Sequence, residues 1–283
     1  MPTIDLAIGP VEYRTFGPDG PDAPVAVFVH GFLVNGRLWD PVVQRLAADG
    51  VRCIVPDWPL GAHRKPADPD AVLSPVAVSD AVLGLLSALD LHDVVLVGSD
   101  TGGGLCQLAL RNDAPRVRAL VLTNCDAFEQ FPPRFFVPLF VLTRYRAAVW
   151  ALAQQTRLRS VRHSALGFGS LLNRPLPDSL TRSWIQPIID SRAIRHDVTR
   201  FARAMQRNEL LDAAKWLSRF PGPVRLVWGT RDKHFTIELG RRLAAAFPHA
   251  TVDEIADATT FVSIDRPDTV AHAVREVIAL ARY

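Results

Sequence analysis

The 283-residue chain lacks several things that would otherwise fix its class. It has three cysteines, Cys53, Cys106 and Cys125, an odd and low count that excludes a disulfide scaffold and fits a reducing compartment. Lysine occurs only at 65, 215 and 233, so arginine carries nearly all the positive charge. No apolar run is long. Phe135 to Leu142 falls short of a bilayer and is followed by Arg144 and Arg146, so no membrane span is expected. The opening Met-Pro-Thr-Ile-Asp-Leu has neither the basic nor the apolar region of a secretory signal, and the expected location is cytoplasmic. No repeat or low-complexity tract is present. An excess of one charge is missing too: 32 cations face 29 anions, too even for a nucleic-acid binder. What is there is 48% hydrophobic and 22% charged, which excludes disorder and suits a compact, enzyme-sized protein.

Short β-branched runs recur, at Val25–His30, Val51–Pro56, Val94–Gly98, Ala119–Thr123, Val224–Trp228 and Thr251–Ile255. Such near-continuous apolar runs suit strands buried on both faces of a parallel sheet. Helical patterns lie between them, near Asp40–Ala48, Pro75–Leu89, Gly102–Asp113, Ile237–Phe247 and Thr269–Ala279. The alternation predicts an α/β fold, a mostly parallel twisted sheet flanked by helices, with Thr3–Phe16 as an antiparallel edge hairpin. It breaks between about 128 and 213, a proline-punctuated helical stretch read as a lid over the carboxyl ends of the strands, where open α/β sheets place ligands. The expected division is a core from 1–127 and 214–283, with the lid at 128–213.

The sharpest local signal is Gly98-Ser99-Asp100-Thr101-Gly102, after one apolar run and before a helical one. It has the form Gly-x-nucleophile-x-Gly, with Asp100 in the nucleophile position and Ser99 one residue out of register. A carboxylate at a helix N-terminus stays ionised and can attack carbon to form an ester. The bland alternative is a strand–helix turn with Asp100 as N-cap. Upstream, His30-Gly31-Phe32 ends the first strong strand. It is placed to aim the Phe32 N–H, with that of Thr101, at developing negative charge.

Together with Pro56-Asp57 and Val227-Trp228-Gly229-Thr230-Arg231-Asp232, these motifs resemble the α/β-hydrolase superfamily over nearly the whole chain. Aspartate in the elbow is similar to the branch of haloalkane dehalogenases, fluoroacetate dehalogenases and epoxide hydrolases. Pro59–Arg64 and Asn124–Glu129 look like an actinobacterial-type group within it. The resemblance implies an α/β-hydrolase fold and a hydrolase with Asp100 as nucleophile and Phe32 and Thr101 as oxyanion donors. It implies Asp232 as the acid that orients a histidine, Asp126 being the alternative placement. The implied substrate is a small or medium, largely apolar halide, epoxide or ester-like electrophile.

The sequence departs from that pattern at the histidine. In Ala258-Thr259-Thr260-Phe261, ahead of Arg266-Pro267, Thr260 fills the histidine position. A threonine hydroxyl cannot activate water as imidazole does. Thr101 and Phe32 stand where haloalkane dehalogenases carry halide-binding side chains, and Tyr145 is the one lid tyrosine where epoxide hydrolases use two. His63, in the loop after the second strand, is the alternative base. Two further readings follow: a lyase or isomerase with Asp100 as general base, and a non-catalytic binding homologue. Tyr145, Trp150 and Trp184 are candidate substrate contacts, set against simple packing of lid helices. No histidine pair has metal-ligand spacing and no dinucleotide fingerprint occurs, so neither metal nor cofactor is expected. The expected partner is a small molecule, bound by a monomer or homodimer. Residues 128–213 hold 13 arginines, no lysine and 6 acids, which points to an anionic substrate or, more blandly, to a solvated helical face.

Overall fold

The computed structural model describes residues 1–281 other than Pro21, Asn112 and Leu166. Eight strands form one sheet: β1 Thr3–Leu6, β2 Gly9–Phe16, β3 Val25–Val29, β4 Arg52–Pro56, β5 Val94–Asp100, β6 Val117–Cys125, β7 Val224–Gly229 and β8 Ala250–Ile255. Their order is β1-β2-β4-β3-β5-β6-β7-β8. β1 and β2 form the antiparallel edge hairpin, β2 runs antiparallel to β4, and every pairing from β4 to β8 is parallel. The apolar runs of β3, β4 and β5 are buried because helices cover both faces.

Before the insertion come α1 Asp40–Ala48, α2 Pro75–Ala88 and α3 Thr101–Ala109. Local chemistry starts them where the sequence suggests. The Ser74 hydroxyl accepts the Ala77 amide at 3.1 Å, and Pro75 occupies the first turn of α2, where no N–H is needed. Between β6 and β7 the chain is helical: α4 Val137–Thr143, α5 Arg146–Gln155, α6 Arg159–Arg162, α7 Asp178–Asp190, α8 Arg192–Ala204 and α9 Glu209–Leu217. The sequence boundary at 213 falls inside α9. That helix packs on α3, with Leu210 against Gly104, and so belongs to the layer covering the sheet. After β7 come α10 Ile237–Ala244, α11 Val262–Asp265 and α12 Pro267–Leu280.

Two apolar clusters lie on opposite faces of the sheet. One joins α2, α3 and α10 to the strands and continues into the insertion through Val149, Ile185 and Phe201. The other holds α1 and α12 on the far face. β6 extends two residues beyond its apolar run because Asn124 grips β7. Its Oδ1 accepts the Gly229 amide at 2.6 Å and its Nδ2 donates to the Gly229 carbonyl at 3.0 Å. That clamp sets the carboxyl ends of β5, β6 and β7 side by side beneath the inserted helices.

Candidate active site

Asp100 ends β5 with φ 54° and ψ −134°, a conformation that costs a non-glycine residue about 1–3 kcal/mol. Neighbouring packing enforces it. A Cβ on Gly102 would sit 2.1 Å from the Val29 carbonyl oxygen, so only glycine lets α3 start this close to β3. Asp100 is the N-cap residue of α3, but its side chain makes no capping bond to the helix beyond Thr101. Instead the carboxylate receives the backbone N–H groups of Thr101 and Phe32. Gly31 passes so near that a Cβ there would lie 2.0 Å from Asp100 Oδ2. His30 fixes this approach: its Nε2 accepts the Trp58 amide at 2.8 Å and its Nδ1 lies 3.0 Å from the Gly31 carbonyl. Burial lowers the His30 pKa to about 4, so the ring is neutral and donates from Nδ1.

Burial is also the main reason the Asp100 carboxyl is raised to about 7. The Asp232 charge adds to the rise, and the two amides oppose it. Asp126, the first residue beyond β6, is buried beside it, with its own N–H 3.4 Å from the Asp100 carbonyl. The Thr101 side chain bonds to the Asp126 carboxyl, whose Oδ1 has no partner. Burial and the neighbouring Asp100 charge hold Asp126 well above the usual carboxylate range.

Asp232 follows β7. Its Oδ1 accepts the amides of His234 at 2.7 Å and Phe235 at 3.1 Å. Its Oδ2 accepts Asn124 Nδ2 at 3.0 Å and the Thr260 hydroxyl at 2.8 Å. Desolvation raises its pKa and these donors restrain the rise. The Thr260 side chain is buried at the end of its bond to Asp232. Asn124 escaped the sequence reading as a site residue, although its place beside Asp126 in Asn124-Cys125-Asp126 was the available signal.

Above these groups is a cavity of about 540 Å³. Asp100, Thr101, Asp126 and Phe32 form its floor, and Phe136, Phe140, Leu152 and Trp184 are among the residues of its largely apolar wall. None of the eight histidines lines it. His63 does not serve as an alternative base. It is buried, its Nδ1 accepts the Gly61 amide at 3.2 Å, and its Nε2 lies 3.1 Å from Asp197 Oδ2 on α8, so the ring ties a loop to the insertion. Two expected substrate contacts also fall elsewhere: Tyr145 is 61% and Trp150 54% exposed on the outer surface, while Trp184 does line the cavity. One arginine reaches the cavity wall, Arg162. Its guanidinium is engaged by Asp178 and by the Thr156 and Arg157 carbonyls, so it offers no free charge to an anion. Among the described residues no group of three or more metal-ligating side chains occurs.

The alpha/beta hydrolase fold family matches this sequence over residues 24–267. The chain belongs to that family. Among its relatives is a cis-3-alkyl-4-alkyloxetan-2-one decarboxylase of Xanthomonas campestris pv. campestris, 30% identical, covering 94% of this chain and 91% of that protein. Haloalkane dehalogenase 2 of Mycobacterium tuberculosis is 24% identical, covering 96% and 93%. The fold is that of solved family members. A haloalkane dehalogenase of Bradyrhizobium elkani superposes with TM-score 0.77 at 20% identity, covering 96% of this chain and 95% of that one. An esterase of Exiguobacterium antarcticum gives 0.73 at 18%, covering 99% of each.

Proposed function

We propose that the protein opens a strained, apolar oxygen heterocycle by attack of the Asp100 carboxylate and finishes the reaction without water. The substrate class that fits best is a β-lactone carrying two alkyl groups, which leaves as alkene and carbon dioxide. One observation carries this reading: Thr260 holds the Asp232 carboxylate where the family's mechanism calls for an imidazole, and no histidine borders the cavity. A covalent ester formed here has no base to activate water, so it must resolve by another bond cleavage. The Xanthomonas relative supports the same class, since its name describes decarboxylation of a dialkyl oxetanone.

The steps balance with no added reactant. Asp100 attacks C4 of the ring with inversion. The C4–O bond breaks, its electron pair goes to the ring oxygen, and an alkyl ester joins Asp100 to a free carboxylate. The bond from C3 to that carboxylate then breaks, its pair becomes the double bond, and the pair of the ester C–O bond returns to Asp100 as carbon dioxide departs. Inversion followed by anti elimination turns a cis lactone into a cis alkene. The Phe32 and Thr101 amides act as the oxyanion donors in the second step, favouring the return of charge to Asp100. The Asp126 O–H donates to the carboxylate released in the first step, and no lid tyrosine is needed. The lid, the inserted helices over the cavity, surrounds the alkyl groups with apolar side chains. A halide is less suited, since neither Phe32 nor Thr101 presents a side-chain N–H beside the carboxylate.

The test is a synthetic cis-3,4-dialkyl-oxetan-2-one in ¹⁸O-labelled water, with products followed by gas chromatography and mass spectrometry. One cis alkene and one carbon dioxide per lactone, lost in Asp100→Asn, is the expected result. An ¹⁸O-labelled β-hydroxy acid would instead make the protein a hydrolase with an unseen base. An unconsumed lactone would leave Asp100 without this role.

A further inference from the structure

The outer face of α4 and α5 is unusual for a water-facing surface. Phe135, Val141, Leu142, Tyr145, Trp150 and Leu158 are all exposed there, six of the eleven exposed large apolar residues among the described ones, within 24 positions. The charge around them has one sign. From 130 to 177 the sequence has seven arginines and neither aspartate nor glutamate. Arg146, Arg157 and Arg159 are exposed and form no ion pair among the described residues. The tip of the hairpin interleaves the two kinds of residue as Arg144-Tyr145-Arg146, and the end of α5 does so again as Arg157-Leu158-Arg159.

α5 is therefore apolar on two sides. Val149, Leu152 and Ala153 face the cavity, while Trp150 faces out, 54% exposed. Packing explains the first side and nothing in the fold explains the second. Single exposed apolar residues are normal, but six within 24 positions, interleaved with exposed arginines, mark a docking surface. We infer that this face seats on the surface of an anionic lipid bilayer, with Tyr145, Trp150 and Leu158 in the headgroup–acyl boundary and the arginines on lipid phosphates.

Two arguments select a bilayer over a second copy of the chain. A two-fold dimer through this face would bring the Arg144, Arg146, Arg157 and Arg159 set of one copy against the same set of the other, and residues 130–177 hold no acid to offset them. Aromatic rings alternating with arginine are also the composition of an interfacial helix. The chain would lie on the membrane and not cross it: among the described residues no single helix is long and apolar enough to span, and the two apolar helices meet at a 114° bend. The same helices wall the apolar cavity from inside, so docking would set the cavity against the phase where alkyl-rich molecules concentrate. This inference reads binding alone and is independent of the chemistry at Asp100.

The experiment is co-sedimentation of the whole chain with vesicles of phosphatidylglycerol and phosphatidylcholine, against vesicles of phosphatidylcholine alone. Binding should require phosphatidylglycerol and fade with added salt. It should weaken roughly fivefold for each of Arg146→Gln, Arg157→Gln and Arg159→Gln, and also in Trp150→Ser. Circular dichroism melting confirms that these surface variants fold. No binding to the anionic vesicles, or equal binding to both kinds, overturns the inference. So does a concentration-dependent dimer in sedimentation velocity that Trp150→Ser abolishes, since the face would then belong to a second copy.

Discussion

Thr260 donates its hydroxyl to Asp232 across 2.8 Å, and the proposed chemistry turns on that one bond. Asp232 is held in place by Asn124 and by two backbone amides, as if to orient a base, yet the group it orients is a hydroxyl that cannot take a proton near neutral pH.

Restoring the base should change the products. In Thr260→His an imidazole bonded to Asp232 would activate water, and an alkyl ester on Asp100 would hydrolyse about 10²- to 10⁴-fold faster. Intact mass after a single exposure to an alkylating probe follows the ester: persistent in the native chain, transient in the variant. An equally persistent ester in a folded variant would show that the imidazole does not reach it.

Alkylation of Asp100 should depend on pH through its own ionisation. The carboxyl titrates at about 7, so the alkylation rate should rise with pH and level off above that value. Asp232→Asn removes a negative charge that raises this pKa, and the midpoint should move down. Asp126→Asn should move it little, since burial and the Asp232 charge are what raise it. Rate against pH for the three proteins checks the order.

Stability should respond to the same group in the opposite sense. Asp100 is raised in the folded state from an unfolded value of about 3.9. Its contribution is therefore present below pH 4 and lost as pH rises toward 7. Asp100→Asn keeps the backbone partners without the buried charge. It should melt several degrees above the native chain at pH 8 and within about a degree of it at pH 4. Equal melting points at both would mean that burying Asp100 carries no charge penalty.

Gly31→Ala should silence the site by geometry alone. Its Cβ would meet Asp100 Oδ2 at 2.0 Å, so the carboxylate must leave its two amides. The expected cost is about 1–3 kcal/mol of stability and at least about a hundredfold in alkylation rate. Chemical denaturation and adduct mass read the two separately.

The turn at Asp100 was legible because its glycines are a steric requirement. Gly102 meets the Val29 carbonyl, and nothing larger fits. The strands were legible because β3 to β6 are buried on both faces and leave unbroken apolar runs. The position of Thr260 could be placed from Phe261 and Arg266-Pro267 in frame. Contacts between distant segments were not legible. The pairing of His63 with Asp197 spans 134 residues, and no local pattern announces it. Tyr145 and Trp150 misled because an aromatic residue on a helix beside a cavity gives no sign in sequence of which side it faces. The charge count over 128–213 could not say where the charge sits: the one arginine described on the cavity wall is engaged by Asp178, while Arg146, Arg157 and Arg159 are exposed, as a solvated helical face requires.

The buried pair of His63 and Asp197 also shows which walls of the cavity are tied down. Asp197 accepts from Ala67 N–H at 2.9 Å as well as pairing with His63, and Arg200 beside it bonds to the Asp68 carbonyl at 2.8 Å, so α8 is pinned to the sheet side of the molecule. Leu171 is pinned likewise, accepting the Phe261 amide at 3.1 Å and the Thr259 hydroxyl at 2.8 Å. Among the described residues no hydrogen bond joins α4 or α5 to the sheet or its covering helices. Their polar tie is the reciprocal pair of bonds between Arg144 and Arg203, and apolar packing, with Phe140 stacked on Phe32 at 4.7 Å, does the rest. The cavity thus has two walls bolted by hydrogen bonds and one, the arginine-edged face, held mainly by apolar packing.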